Sequence, residues 1–118
     1  MENSEILNDL AAVFRWTARL DMHEGIANHF SVCSQDNDGF FINKSGSHFS
    51  QIKASDLIHV NNNNYEKLKD KPEIVDPTAL NIHGEIHKKV PHAKCILHAH
   101  SKYATALSTL KNPFLPPI

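Results

Sequence analysis

The strongest chemistry written into this sequence is His98-Ala99-His100, which follows the apolar run Cys95-Ile96-Leu97. That run reads as a strand. Side chains two apart on a strand point to one face, so the two imidazoles can grip one metal ion. For zinc the nitrogen-to-metal distance is about 2.0–2.1 Å. A strand is a stiff support, and the turn that follows opens its end to solvent and substrate. The plainer alternative is two polar residues closing a strand. Two ligands are also too few, because a catalytic zinc usually takes three protein ligands and keeps one position open. The third would come from elsewhere.

His83-Gly84-Glu85-Ile86-His87 invites comparison with a zinc protease helix, but the spacing is wrong. That pattern places Glu directly after the first His, and here Gly84 intervenes. His83 and His87 lie one helical turn apart and have the spacing to chelate a metal, although such a pair more often covers a helix face. Asn28, His29, Ser45, Gly46 and Thr78 fall in turns beside strand or helix ends. Their amide, hydroxyl and glycine-backbone groups suit a phosphate or carboxylate. The same residue types also dominate ordinary turns. No serine or cysteine stands in a recognisable nucleophile context. No GxGxxG or P-loop is present.

The elements that must position these residues are legible in the spacing of apolar positions. Ser4 to Leu20 reads as a helix with Ser4 as its N-cap, since Ile6, Leu10, Val13, Phe14, Trp16 and Leu20 recur near helical spacing. Gly25 to Cys33 is a turn feeding a strand. Asp36-Asn37-Asp38-Gly39 is a strong turn signal, and Phe40 to Asn43 returns as the second strand of a hairpin. Ile58 to Val60 is a short strand. Asn61 to Asp70, with four Asn in a row, reads as a loop or hairpin tip. Pro77 precedes a helix from about Thr78 to Val90, which Pro91 stops. Cys95 to His98 reads as a buried strand, and Ser101 caps a last helix from Lys102 to Leu110. Asn112 to Ile118 contains three prolines and cannot continue it. The order of helix, strands, helix, strand and helix predicts an α/β sandwich with a mixed, largely antiparallel sheet.

Composition bounds the function classes. At 118 residues the chain suits one domain, residues 1–118, with one modest core. Twelve basic against thirteen acidic residues leave a formal charge of −1, with no basic block. Nothing electrostatic therefore argues for nucleic acid or a membrane surface. The start MENSEILNDL lacks the basic and apolar regions of a signal peptide, and no apolar stretch nears the roughly 20 residues that span a bilayer. The expected compartment is the cytoplasm, where Cys33 and Cys95 are expected as buried, reduced thiols.

The motifs gain specificity from their order. Gly25-Ile26-Ala27-Asn28-His29-Phe30-Ser31-Val32 is followed by Phe41-Ile42-Asn43-Lys44-Ser45-Gly46 and by Ile52-Lys53-Ala54-Ser55-Asp56-Leu57-Ile58. Then come Asp76-Pro77-Thr78-Ala79, His83, Ile86-His87, Pro91, and finally His98-Ala99-His100-Ser101 with Tyr103-Ala104-Thr105-Ala106-Leu107. Together these resemble the N-terminal domain of the class II aldolase/adducin family over nearly the whole chain.

The resemblance implies a three-layer α/β/α fold and assembly as a homo-oligomer, commonly a tetramer. It implies a zinc ion, or another divalent metal such as manganese or cobalt, that polarises a carbonyl beside the reacting carbon and stabilises the enediolate. His98 and His100 match two of the ligands. The third family histidine falls beyond Ile118, so the chain looks like about half of a full family domain. One departure stands out: the aldolases carry a catalytic Glu where this sequence has Ala79, and alanine cannot transfer a proton.

Two functions from different classes follow. The first is a metal-dependent lyase or decarboxylase of carbohydrate metabolism, acting on a small hydroxy-carbonyl or sugar-phosphate-like substrate. His98 and His100 hold the ion, Asn28, Ser45, Gly46 and Thr78 position the anionic end, and Glu73 or a group from the other half moves the proton. The second is an adducin-like interaction module that keeps the fold without catalysis. The paired histidines favour the first, and the missing Glu favours the second.

Overall fold

The first hairpin sets the architecture. In the computed structural model, which describes residues 2–117, β1 (His29–Cys33) and β2 (Gly39–Ile42) pair antiparallel with Val32 opposite Phe41. Successive side chains of a strand point to opposite faces. Phe40 and Ile42 accordingly join one hydrophobic cluster and Phe41 the other.

Helix α1 (Asn3–Arg19) covers one face. Its Leu10 and Phe14 pack on Phe30, Phe41, Phe49 and Ile52. Phe14 is wholly buried, stacked on Phe30 at 5.0 Å and edge-on to Phe49 at 4.7 Å. The expected N-cap was Ser4, but Glu2 holds that place, and its backbone N–H donates to the Glu5 carboxylate at 3.0 Å. Acidic side chains suit this end because the helix dipole is positive there.

The other face is covered by helices α2 (Tyr65–Lys69) and α3 (Pro77–Lys89). Leu68, Val75, Ala79 and Leu80 pack there on Phe40, Ile42 and Val60. Strand β3 (Ile58–Asn61) completes this side of the sheet beyond β2. The short helix α2 replaces part of the loop expected from Asn61 to Asp70. Its Leu68 finds the core, and Tyr65 lies against Gly84 so closely that an added Cβ would stand 2.8 Å from the ring. Helix α3 begins as expected: Pro77 stands in its first turn and the Asp76 carboxylate caps it, accepting from the Ala79 N–H at 3.0 Å. Such a cap satisfies an otherwise unpaired donor.

Strand β4 (Cys95–His98) pairs antiparallel with β1, giving the order β3-β2-β1-β4. The chain is thus an α/β fold with helices on both faces of a sheet that is antiparallel throughout its described strands. Strand β4 is not the buried strand its apolar run predicted. It has a neighbour on one side only, so Cys95 is exposed and Leu97 is 55% exposed. Cys33 is half-buried, and both thiols are free. The last helix, α4 (Lys102–Ser108), buries no residue, and the Ser101 side chain makes no capping bond to it.

Candidate metal centre

Register brings the histidines together. His29 at the start of β1 lies opposite His98 at the end of β4. Directly opposed residues share a face, and the two rings stack at 4.5 Å and 11°. His100, just past the strand end, turns back so that its Nε2 lies 3.0 Å from Nε2 of His98. Two nitrogens about 2.0–2.1 Å from a tetrahedral zinc would stand roughly 3.3 Å apart. The two nitrogens are therefore separated by about the distance that a shared ion requires.

The proton positions fit a cation. The Glu24 carboxylate accepts from Nδ1 of His100 at 2.6 Å. With its proton on Nδ1, neutral His100 offers a bare lone pair at Nε2. A carboxylate behind a metal histidine fixes its tautomer and raises its basicity. His98 is held below the usual histidine range, by burial first and by His100 second, which favours the neutral ligand form. A second close pair makes the contrast plain. His23 and His48 approach at 3.2 Å, but Nδ1 of His48 accepts from the Ser50 N–H. Nε2 of His48 therefore carries the proton and donates it to His23, and among the described residues no carboxylate stands behind either ring of that pair. Among the described residues no group of three or more His, Cys, Asp or Glu is arranged around one metal position. His98 and His100 lie close enough to serve as two of the ligands of a bound ion.

Asn28 ties the centre to the sheet. It is buried, and its Oδ1 accepts from the Glu24 N–H at 2.7 Å and the His100 N–H at 3.2 Å. One side chain thus holds the turn that carries Glu24 against the strand end that carries His98 and His100. Its Nδ2 is buried with no partner in the structure. An unpaired buried donor costs about 1–3 kcal/mol.

Asn28, Ser45, Gly46, Thr78, His98 and His100 all line one cleft of about 380 Å³. Of the positions chosen from sequence, these six and His29 are brought to one place. Gly46 holds φ +73°, in the left-handed region that favours glycine. The Ser45 N–H is already taken by the Ile74 carbonyl at 2.9 Å, so the Ser45 hydroxyl is what remains for a ligand. Glu73 is exposed and lies outside this lining, whereas Asp76 is part of it. Ala79 is buried on the cleft wall.

Sequence reading missed Glu24 and Asp76, and it named His29 only among the turn residues suited to an anion. Glu24 gives no signal, because a Glu beside Gly25 looks like any polar turn. Asp76 was visible only as a turn residue. His29 belongs to His29-Phe30-Ser31-Val32-Cys33, whose alternation was the available clue: His29, Ser31 and Cys33 share the face that meets α3. There His83 and His87 do not chelate. His83 Nε2 bonds His29 Nδ1 at 2.7 Å, and both helix histidines bond the Ser31 hydroxyl. Burial, then neighbouring His98, pushes His29 down to about 4. Burial, then His29, pushes His83 down to about 3.

A paired-histidine strand end facing a polar cleft, on an antiparallel sheet between helices, defines the class. The sequence profile of the Class II Aldolase and Adducin N-terminal domain matches residues 8–118, and the chain belongs to this family. It is 37% identical over 109 residues to the meiotically up-regulated gene 14 protein of Schizosaccharomyces pombe, covering 92% of this chain and 42% of that protein. It is 32% identical over 110 residues to the decarboxylase NovR of Streptomyces niveus, covering 92% and 40%. Among solved structures, an L-fuculose 1-phosphate aldolase from Glaciozyma antarctica superposes with a TM-score of 0.81 at 31% identity, covering 94% of this chain and 46% of that one. The chain spans less than half the length of these relatives.

Proposed function

We propose that this chain carries the metal-binding part of a lyase or decarboxylase that acts on a small hydroxy-carbonyl compound bearing a carboxylate or phosphate. The observation that carries the reading is the 3.0 Å approach of the His98 and His100 Nε2 atoms, with Glu24 holding the proton of His100 on its far side. A bound zinc, manganese or cobalt ion would act there as a Lewis acid toward a carbonyl oxygen. The protein's own part is binding and orientation. The Asn28 Nδ2, the Ser45 and Thr78 hydroxyls and the Gly46 turn would take the anionic end of the substrate.

Ala79 shapes the choice of reaction. A positioned acid or base typically contributes about 10²–10⁴-fold in rate, and the methyl of Ala79 supplies none of it. Decarboxylation asks less of that position, because carbon dioxide leaves without a proton being abstracted. The similarity to a protein named as a decarboxylase supports this preference. Glu73 remains a weak candidate for proton transfer, since it is exposed and outside the cleft lining. The reading also includes a homo-oligomer, a tetramer by family resemblance, in the cytoplasm, with no nucleic-acid or membrane partner. The near-neutral charge supports it, and no described helix is long and apolar enough to cross a membrane.

The experiment is a panel of β-keto acids, hydroxy acids and ketose phosphates, given to the full-length protein with each metal supplied. Decarboxylation without sugar-phosphate cleavage is expected. Efficient cleavage of fuculose or ribulose phosphate, unaffected by Glu73→Gln, would overturn the preference. Ala79 also supports a second reading, an adducin-like module that keeps the fold and has no activity. Metal binding without turnover on any member of the panel would favour it.

A further inference from the structure

Behind the metal pair runs a buried chain of hydrogen bonds that the proposed chemistry does not use. It joins Ala93, His87, Ser31, His83 and His29. Its direction is fixed from one end. A carbonyl oxygen only accepts, so the 3.1 Å contact of His87 Nδ1 with the Ala93 carbonyl places a proton on that nitrogen. Neutral His87 is then bare at Nε2, and the Ser31 hydroxyl donates to it at 2.7 Å. Having spent its only proton, Ser31 must accept from His83 Nδ1. His83 is then bare at Nε2, and His29 Nδ1 donates to it at 2.7 Å. Burial holds both His83 and His87 toward their neutral forms, as this sequence of donors requires. The last atom left is Nε2 of His29, without a proton, on a residue that lines the cleft beside His98.

We propose that this one-way chain, anchored at the Ala93 carbonyl, holds His29 as a fixed hydrogen-bond acceptor for a hydroxyl group of the ligand. The ligand class is a small α-hydroxy acid or polyol, rather than a simple carboxylate or aldehyde. The inference rests on the cleft being a substrate site, but the state of His29 stands independently of any metal. His29 contacts the ligand. Ser31, His83 and His87 are positioning residues, and they act only by keeping the proton on Nδ1 of His29. Asn28 adds the complementary feature, a buried donor in the same cleft. A hydroxy acid offers both an O–H for His29 and an oxygen acceptor for Asn28.

The test is imidazole nitrogen-15 NMR on the whole chain, without added metal, with the His29 ring assigned by a His29→Gln variant. Nδ1 of His29, His83 and His87 should carry the proton, and Nε2 of His29 should resonate as a bare nitrogen. Titration with glycolate should shift that Nε2, and titration with acetate, which lacks the hydroxyl, should not. Ser31→Ala should release His29 into a mixture of tautomers, and Ser31→Thr, which keeps the hydroxyl, should restore the single form. A protonated Nε2 in the wild-type chain would overturn the chain's direction. A His29 response that is absent for glycolate, or equal for glycolate and acetate, would overturn the acceptor role. His98→Ala separates this inference from the metal reading: it should abolish metal binding and leave the His29 tautomer unchanged.

Discussion

The Glu24 carboxylate and Nδ1 of His100 meet at 2.6 Å across 76 residues of sequence. The contact exists because Asn28 clamps both segments with a single oxygen atom. Outer partners of metal histidines typically contribute about 10–100-fold in metal affinity. Glu24→Gln should therefore weaken zinc binding by about that factor, and His98→Ala with His100→Ala should abolish it. Calorimetric titration of the 118-residue chain reads both variants. With only two nitrogen ligands among the described residues, wild-type binding should itself be weak. Equal affinities in wild type and Glu24→Gln would remove the carboxylate from the metal centre.

The buried histidines make stability depend on pH. Burial first, and His29 second, push His83 from the ordinary histidine value of 6.5 down to about 3 in the fold. Burial likewise lowers His87. Between the two values the unfolded chain binds more protons than the folded one, so stability rises with pH across that window. The full stability is present above pH 6.5 and is lost as pH falls toward about 3. Melting temperature should be level above neutrality and fall steadily under mild acid, read by thermal scans in a buffer series. A melting temperature that climbs on acidification would show that these rings are charged in the fold.

Phe14 is the pivot of the α1-side core, wholly buried between Phe30 and Phe49. Truncating a buried phenylalanine typically costs about 3–5 kcal/mol. Phe14→Ala should lower the unfolding free energy by that amount in a urea titration. A loss below about 1 kcal/mol would mean that α1 is not held by this contact.

Asp76 has two roles that substitution can separate. Losing an N-cap typically costs about 0.5–2 kcal/mol, so Asp76→Ala should destabilise α3 by that much. Asp76→Asn keeps an accepting oxygen and should retain most of the stability while removing a negative charge from the cleft. Any change in metal or ligand binding in Asp76→Asn then reports on the cleft alone. Similar destabilisation by both substitutions would show that the carboxylate charge, not the cap, holds the helix end.

The fold was legible where one periodicity dominated. The apolar spacing from Ile6 to Leu20 marked α1, and Pro77 and Pro91 bracketed α3. Helix α2 was hidden because four asparagines mark a loop so strongly that the turn begun by Tyr65 left little trace. Strand β4 looked buried because its residues are apolar, but burial depends on neighbours, which a sequence does not display. The His98 and His100 pair could be read because the two residues stand two apart in sequence at one strand end. Glu24 and the His29 chain were out of reach for the opposite reason: each acts through a partner dozens of residues away. Only the alternation of polar residues along β1 hinted at them.

That alternation divides labour along a single strand. Odd-numbered β1 positions 29, 31 and 33 carry the polar machinery, while Phe30 and Val32 serve the α1-side core. Chemistry and cohesion are thus filed by parity. Substitutions at the odd positions alter the polar face toward α3, where only His29 reaches the cleft, while the even positions keep the sheet seated on α1. A one-residue insertion or deletion would exchange the two sets, sending phenylalanine among the imidazoles and histidine into the aromatic core. The strand is therefore tolerant of changed letters and intolerant of changed length, and new specificities in this scaffold should arise by substitution here and by indels only in the turns around it.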